Sequence, residues 1–293
     1  MISFFIAEVV STKARAMDLP PTPVRTLSRR EAVVLGWLES ERRPSVTTAE
    51  AATALAWNDK RASEVLSQLA QKGWLQRVAR GRYETVLAET GGWSVPNPWA
   101  ALSLWEQRYY VGFQSAAYEL GLTPDRPASV QACVPPGARR PRSWNEIPIG
   151  FIYQRAYNEA GCDVRDLHEF PVRLALIEKV LIDGAAIPAR VGGIFGLARI
   201  FERAFGEVSW AKVIDLSGEA KRDRVSLRRL AALTELLGHN VPQPLARAAI
   251  AHPGESPLFL AERRLHGGRG RRLERWQVVV NIDPDVLREE IAR

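Results

Sequence analysis

Along residues 59 to 72, Lys60, Arg61, Ser63, Glu64, Ser67 and Gln71 recur at helical spacing. Their ammonium, guanidinium, hydroxyl, carboxylate and amide ends are the groups that bond base edges and phosphate oxygens in DNA. Between them Ala62, Val65, Leu66 and Leu69 fall at i, i+3, i+4 and i+7, the stripe of a helix with one buried face. Asn58 stands where an N-cap would accept a backbone N–H, and Gly73 where a helix ends in the left-handed conformation. The spacing therefore places a helix from about Asp59 to Lys72.

The elements around this helix extend the same chemistry. "WLQRVAR" and "RYETVL" read as two strands about a turn at Arg80 and Gly81. From Lys60 to Arg82 the six bases Lys60, Arg61, Lys72, Arg77, Arg80 and Arg82 face two acids, Asp59 and Glu64, so helix and hairpin are basic together. Upstream, "SRREAVVLGWLE" opens on a capping box of Ser28 and Glu31, and "TTAEAATAL" on one of Thr47 and Glu50. Two helices, a basic helix and a hairpin follow the order of a winged helix-turn-helix, whose third helix enters the major groove while the wing lies on the backbone. The residues expected at DNA are Thr47, Asn58, Lys60, Arg61, Ser63, Glu64, Ser67, Lys72, Arg77, Arg80 and Arg82. A protein-docking winged helix with a solvated basic face is the competing reading.

The chain has 293 residues, enough for two domains, and its 46% hydrophobic content suffices for two cores. A net charge of +7 suits an anionic partner without naming it. Cys133 and Cys162 are too few for a disulfide framework or a zinc site and read as reduced cytoplasmic thiols. The opening "MISFFIAEVV" lacks a basic leader and is too short to span a bilayer, so no membrane partner is expected.

The expected organisation is α+β: an N-terminal extension over 1–25, a winged-helix domain over 26–90 and a larger mixed α/β domain over 91–293. The boundary lies in "AETGGWSVPNP", where glycine and proline interrupt the periodic segments. Beyond it, "WAALSLWEQRYY" and "QSAAYELG" read as helical, "ASVQACV" and "IGFIY" as strands. "VRLALIEKVLIDGAA", with Leu174, Ile177 and Leu181, and "VSLRRLAALTELLG", with Leu227, Leu230, Leu233 and Leu237, read as core helices. "RRLHGGRGRRLER" reads as a flexible basic loop before the strand "WQVVVNI". A last helix starts with Asp283 as cap and Pro284 at its first position.

The second domain resembles the AbiEi family of antitoxins in the order of its blocks behind a winged helix: "YYVGFQSAAYELGLTP", "ALIEKVLIDG", "SLRRLAALTELLG" and "RWQVVVNID". The likeness runs from about residue 28 to 282. Glu178, Lys179 and Asp183 match the family's glutamate, basic residue and aspartate, and Arg229 with Leu230 its arginine-leucine pair. The chain departs from the family at Val180, where a smaller residue is common, and at Ala231, where glycine often follows. The resemblance implies a transcriptional autorepressor that binds repeats in its own promoter and counters a co-encoded toxin resembling a nucleotidyltransferase.

Catalytic machinery is not legible, and no enzyme activity, cofactor or metal is expected. "DLSGEAKRD" lacks the paired aspartates of a nucleotidyltransferase, "GGIFGLARIF" lacks the GxGxxG spacing and reads as a helix start, and no Walker A lysine-serine pair occurs. Four histidines, His168, His239, His252 and His266, are scattered; His168 beside Glu169 reads as structural at a strand end. The basic tracts "GARRPR" (Arg139, Arg140, Arg142), "KRDR" (Lys221, Arg222, Arg224) and the late loop (Arg269, Arg271, Arg272) are either a partner or nucleic-acid surface or solvated loops. Two other functions stand beside the regulator-antitoxin. One is a one-component regulator whose second domain binds a small effector in an apolar pocket; the other, a nucleic-acid enzyme, would need metal-spaced carboxylates.

Overall fold

A computed structural model describes residues 27–41, 43–85, 97–141, 144, 147–218, 221–251 and 258–292. The extension over 1–25, the boundary stretch up to residue 96, Arg142 and His252 lie outside the described residues, as do the side chains of Lys221 and Arg222.

The N-terminal part runs α1 (Arg29–Ser40), β1 (Ser45–Thr47), α2 (Thr48–Ala54), α3 (Asp59–Gln71), β2 (Leu75–Ala79) and β3 (Arg82–Thr85). Each helix starts on the cap that its sequence proposed. Glu31 and Ser28 bond each other's backbone N–H groups, as do Glu50 and Thr47, and Asn58 Oδ1 accepts from Arg61 N at 2.8 Å. Gly73 is left-handed at φ 72° after the third helix. The strands form an antiparallel sheet in the order β1-β3-β2. Val34, Leu38, Val46, Leu66, Leu69, Leu75 and Tyr83 close one core between the helices and this sheet. This is a winged helix-turn-helix.

The second part continues α4 (Pro98–Ser103), β4 (Tyr110–Val111), α5 (Phe113–Glu119), β5 (Val130–Val134), β6 (Ile149–Tyr153), β7 (Cys162–Leu167) and β8 (Phe170–Ala175). After these come α6 (Ile177–Ala186), a 3-10 turn (Pro188–Val191), α7 (Gly193–Ala204), α8 (Trp210–Leu216), α9 (Lys221–Leu236) and α10 (Gln243–Ala251). The chain closes on β9 (Leu258–Phe259), α11 (Arg263–His266), β10 (Arg271–Leu273), β11 (Val278–Val280) and α12 (Pro284–Ala292). A mixed sheet in the order β6-β5-β4-β8-β7 packs beside α6, which is covered in turn by α9, α8 and α7. A smaller sheet in the order β10-β11-β9 lies against α9. The whole is α+β, a winged helix followed by a larger mixed domain.

Three local expectations are corrected. The helix expected over "WAALSLWEQRYY" stops at Ser103, and Tyr110 and Val111 are a strand at the centre of the sheet. Leu174 belongs to β8 and not to the following helix: Phe170, Val172 and Leu174 are buried with period two, and the helix begins only at Ile177. The stretch "RRLHGGRGRRLER" is not a flexible loop but a helical turn followed by an edge strand. Gly270 lies so close to β11 that a Cβ there would meet the Val280 carbonyl oxygen at 2.1 Å, and Asn281 Nδ2 donates to Gly267 O at 2.9 Å. Between β7 and β8 the turn places His168, expected at a strand end, and Glu169 in the left-handed region at φ 50° and 74°.

Candidate nucleic-acid interface

Helix α3 is divided as its spacing requires. Ala62, Val65, Leu66 and Leu69 are at most 4% exposed in the core, so the opposite side must face outward. Lys60, Arg61, Ser63 and Glu64 are all exposed there, and none forms an ion pair among the described residues. Arg77 and Arg80 of the hairpin are exposed as well. Two cations at the start of α3 and two on the wing thus stand on the surface.

The remaining expected DNA contacts have partners within the fold. Thr47 and Asn58 cap α2 and α3. Ser67 Oγ lies 3.1 Å from the hydroxyl of buried Tyr83, which ties α3 to the wing. Lys72 donates to Glu31 Oε2 at 2.7 Å. Glu31 is 1% exposed, and the Lys72 hydrogen bond, followed by that from the Ser28 backbone, holds its carboxyl below the usual range. Arg82 pairs with Glu106 of the second domain.

The last contact belongs to a larger joint that the sequence did not disclose. The register between β2 and β3 shifts between Arg77 and Ala79, a bulge at Val78. A bulge re-aims one side chain; Val78 leaves the winged-helix core and is fully buried in that of the second domain. Its carbonyl accepts the indole N–H of Trp144, itself fully buried and packed against Trp105 and Phe151. Glu84, on the neighbouring strand, is 7% exposed. Burial pushes its carboxyl up to about 7, against the lowering effect of a backbone bond from Asn97. At the tip, Thr48 N donates to Gly81 O at 2.8 Å, which holds the turn against the start of α2. The wing is thus a short hairpin clamped from both sides.

In the second domain the motif residues face inward. Glu178 Oε1 accepts the Ser209 N–H at 3.1 Å and so caps α8. Lys179 Nζ lies 3.3 Å from Asp183 Oδ1, both nearly fully buried, and Asp183 Oδ2 accepts from the Tyr110 hydroxyl at 2.7 Å. Arg229 donates to the carbonyls of Ala185 and Phe259, and Arg228 to those of Trp276 and Gln277. Burial lowers Arg229 to about 10; the two carbonyls meet its Nη1 and Nη2 groups in place of water, while its buried Nε has no hydrogen-bond partner among the described residues. These side chains knit α6, α9 and the small sheet together. His168 stacks on Trp99 with ring centroids 5.4 Å apart.

Of the basic tracts, Arg140 is committed to the Trp144 and Ile147 carbonyls, while Arg139, Arg269, Arg271 and Arg272 are exposed. Arg272 lies 3.2 Å from Glu274. No group of three or more histidine, cysteine or acidic side chains able to hold a metal occurs among the described residues, and no described helix is long and apolar enough to cross a membrane.

No family model matches the chain, and no curated protein matches it. A solved structure does: the RV2827C protein from Mycobacterium tuberculosis superposes with a TM-score of 0.66 at 18% identity, covering 92% of this chain and 97% of that one. At that identity the likeness speaks to the fold, and it shows that this order of winged helix and mixed domain is also the architecture of the RV2827C protein along almost its whole length.

Proposed function

We propose that the chain is a DNA-binding transcriptional autorepressor of the cytoplasm, with no catalytic step of its own, whose second domain acts as an antitoxin against a co-encoded nucleotidyltransferase-like toxin. The observation that carries the DNA half is the exposed face of α3, where Lys60, Arg61, Ser63 and Glu64 stand on a helix whose other side is locked into the core. Arg77 and Arg80 supply the positive charge beside it that duplex phosphates attract. The antitoxin half rests on the resemblance of the second domain's blocks to the AbiEi family.

The test of the DNA half is binding of the full chain to the DNA upstream of its own gene, with random duplex as competitor. Specific binding that is lost in Arg61→Ala supports the reading, and binding confined to random duplex refutes it. The antitoxin half is tested by growth rescue: the Arg61→Ala, Arg80→Ala double variant should lose promoter repression and still protect cells expressing the cognate toxin from an unrelated promoter.

A further inference from the structure

Strand β10 is the outer strand of the small sheet, and its free side pairs with no strand among the described residues. Beside it runs a groove of about 660 Å³ whose apolar floor includes Leu236, Leu273 and Val280, each at most 8% exposed. Arg269, Arg271 and Arg288 line its rim. The two acids at the groove already have work within the fold: Glu235 Oε2 accepts the Trp276 indole N–H at 2.7 Å, and Asp283 Oδ1 accepts the Asp285 N–H at 2.9 Å. Arg288 donates to Leu236 O at 3.0 Å and to Asp285 Oδ1 at 2.6 Å. Arg269 and Arg271 are exposed and form no ion pair among the described residues.

The strand that carries these charges is held in place. The close backbone approach at Gly270 starts β10 against β11, and the buried Asn281 bonds Ala261 and Gly267 at once. Along β10, Arg271 lies opposite Val280 and Leu273 opposite Val278, so residues 271 and 273 share the groove side while Arg272 faces the other way. A strand added at this edge would meet, in order, a cation on the groove side, a cation on the outer side that shares an exposed ion pair with Glu274, and an apolar seat on the groove side.

We propose that β10 is a docking edge for an extended acidic segment of a partner protein, which adds as a further strand with two adjacent acids opposite Arg271 and Arg272 and an apolar residue opposite Leu273. Main-chain bonds along the edge supply affinity, and the alternating side chains supply selection. Nucleic acid offers the negative charge but neither the strand backbone nor the apolar residue, and the peptide is favoured for that reason. The site is remote from α3 in sequence and stands whether or not the winged helix reads DNA.

The test uses the full chain and a fluorescein-labelled peptide, Val-Glu-Glu-Val-Glu-Glu-Val, which reads the same in both directions and so serves parallel and antiparallel addition. Anisotropy should show saturable binding, weakened about tenfold or more by Arg271→Glu and by N-methylation of the peptide backbone, and unchanged by Arg61→Ala. Hydrogen exchange at residues 271 to 273 should slow when the peptide is bound. Equal binding of the lysine counterpart, indifference to Arg271→Glu or to N-methylation, or ready displacement by a dT oligonucleotide would overturn the proposal, the last by making the arginines a nucleic-acid surface.

Discussion

The indole N–H of Trp144 donates to the carbonyl of Val78, so a residue of the second domain completes the backbone bonding of the wing. Val78 itself is buried in the second domain's core, and Arg82, on the adjacent strand opposite Ala79, pairs with Glu106. The winged helix is therefore held to the second domain through its wing. Replacing Trp144 by Phe keeps most of the ring packing and removes the indole hydrogen bond to the Val78 carbonyl. The expected cost is about 0.5–1.5 kcal/mol, with faster hydrogen exchange over residues 75 to 85 and little change in α3. Unchanged exchange in the hairpin would contradict the clamp.

The two wing arginines should behave differently. Arg80 is exposed at the tip, so Arg80→Ala should weaken binding to all duplex DNA and lower the salt slope by about one unit per lost phosphate contact. Arg82 is already engaged by Glu106. Arg82→Ala alone should do less, and Glu106→Gln should raise non-specific affinity by freeing the guanidinium. Salt titrations of the three variants and the Arg82→Ala, Glu106→Gln pair decide this; a full-sized Arg82 effect in the native background would speak against the pairing.

Glu84 makes stability depend on pH. Its folded value of about 7 lies above the ordinary 4.5, so the folded protein retains a proton that the unfolded chain releases. Stability is then undiminished below about pH 4.5, falls as pH rises between the two values, and carries the full penalty above pH 7. Glu84→Gln should stabilise the protein at pH 8 by on the order of 1–3 kcal/mol and make no difference at pH 4. Denaturant melts at the two pH values measure it, and an equal effect at both would rule out the buried carboxylate as the cause.

Lys72 and Glu31 are coupled with the opposite sign. Glu31 is held below its ordinary value, so the stability that the pair adds is present above about pH 4.5 and is lost as pH falls through the lowered value. Lys72→Met removes the counter-charge of a buried carboxylate that keeps its bond from the Ser28 N–H, and should cost about 1 kcal/mol at neutral pH, a deficit that shrinks in acid. Thermal unfolding at pH 7 and pH 3 checks the trend.

The N-terminal domain was legible because its information is local. Capping boxes at Ser28 and Thr47, the cap at Asn58, the stripe from Ala62 to Leu69 and the glycine at 73 each act within a turn or two of helix. What could not be read was long-range or lacked its usual signal. The bulge that sends Val78 into the other core depends on Trp144, far along the chain. The hairpin at His168 and Glu169 carries two left-handed residues without glycine or asparagine, so nothing marked the turn. Leu174 falls at helical spacing from Ile177 and Leu181 by coincidence of a strand ending just before a helix. For the candidate site, Lys60, Arg61, Ser63 and Glu64 could be placed from spacing. The engagement of Ser67, Lys72 and Arg82 needed their partners Tyr83, Glu31 and Glu106 in space.

In the proposed regulator the exposed face of α3 reads DNA sequence while the wing positions the protein on the duplex. The most direct measurement is the ratio of affinities for upstream and random duplex at one salt concentration, compared between the native chain, Arg61→Ala and Arg80→Ala. A good bidentate base contact is worth about 1–3 kcal/mol of discrimination, so Arg61→Ala should lower the ratio roughly five- to a hundredfold. Arg80→Ala should weaken both affinities and leave the ratio intact. A ratio near one for the native chain, or equal losses on both duplexes in Arg61→Ala, would contradict the account.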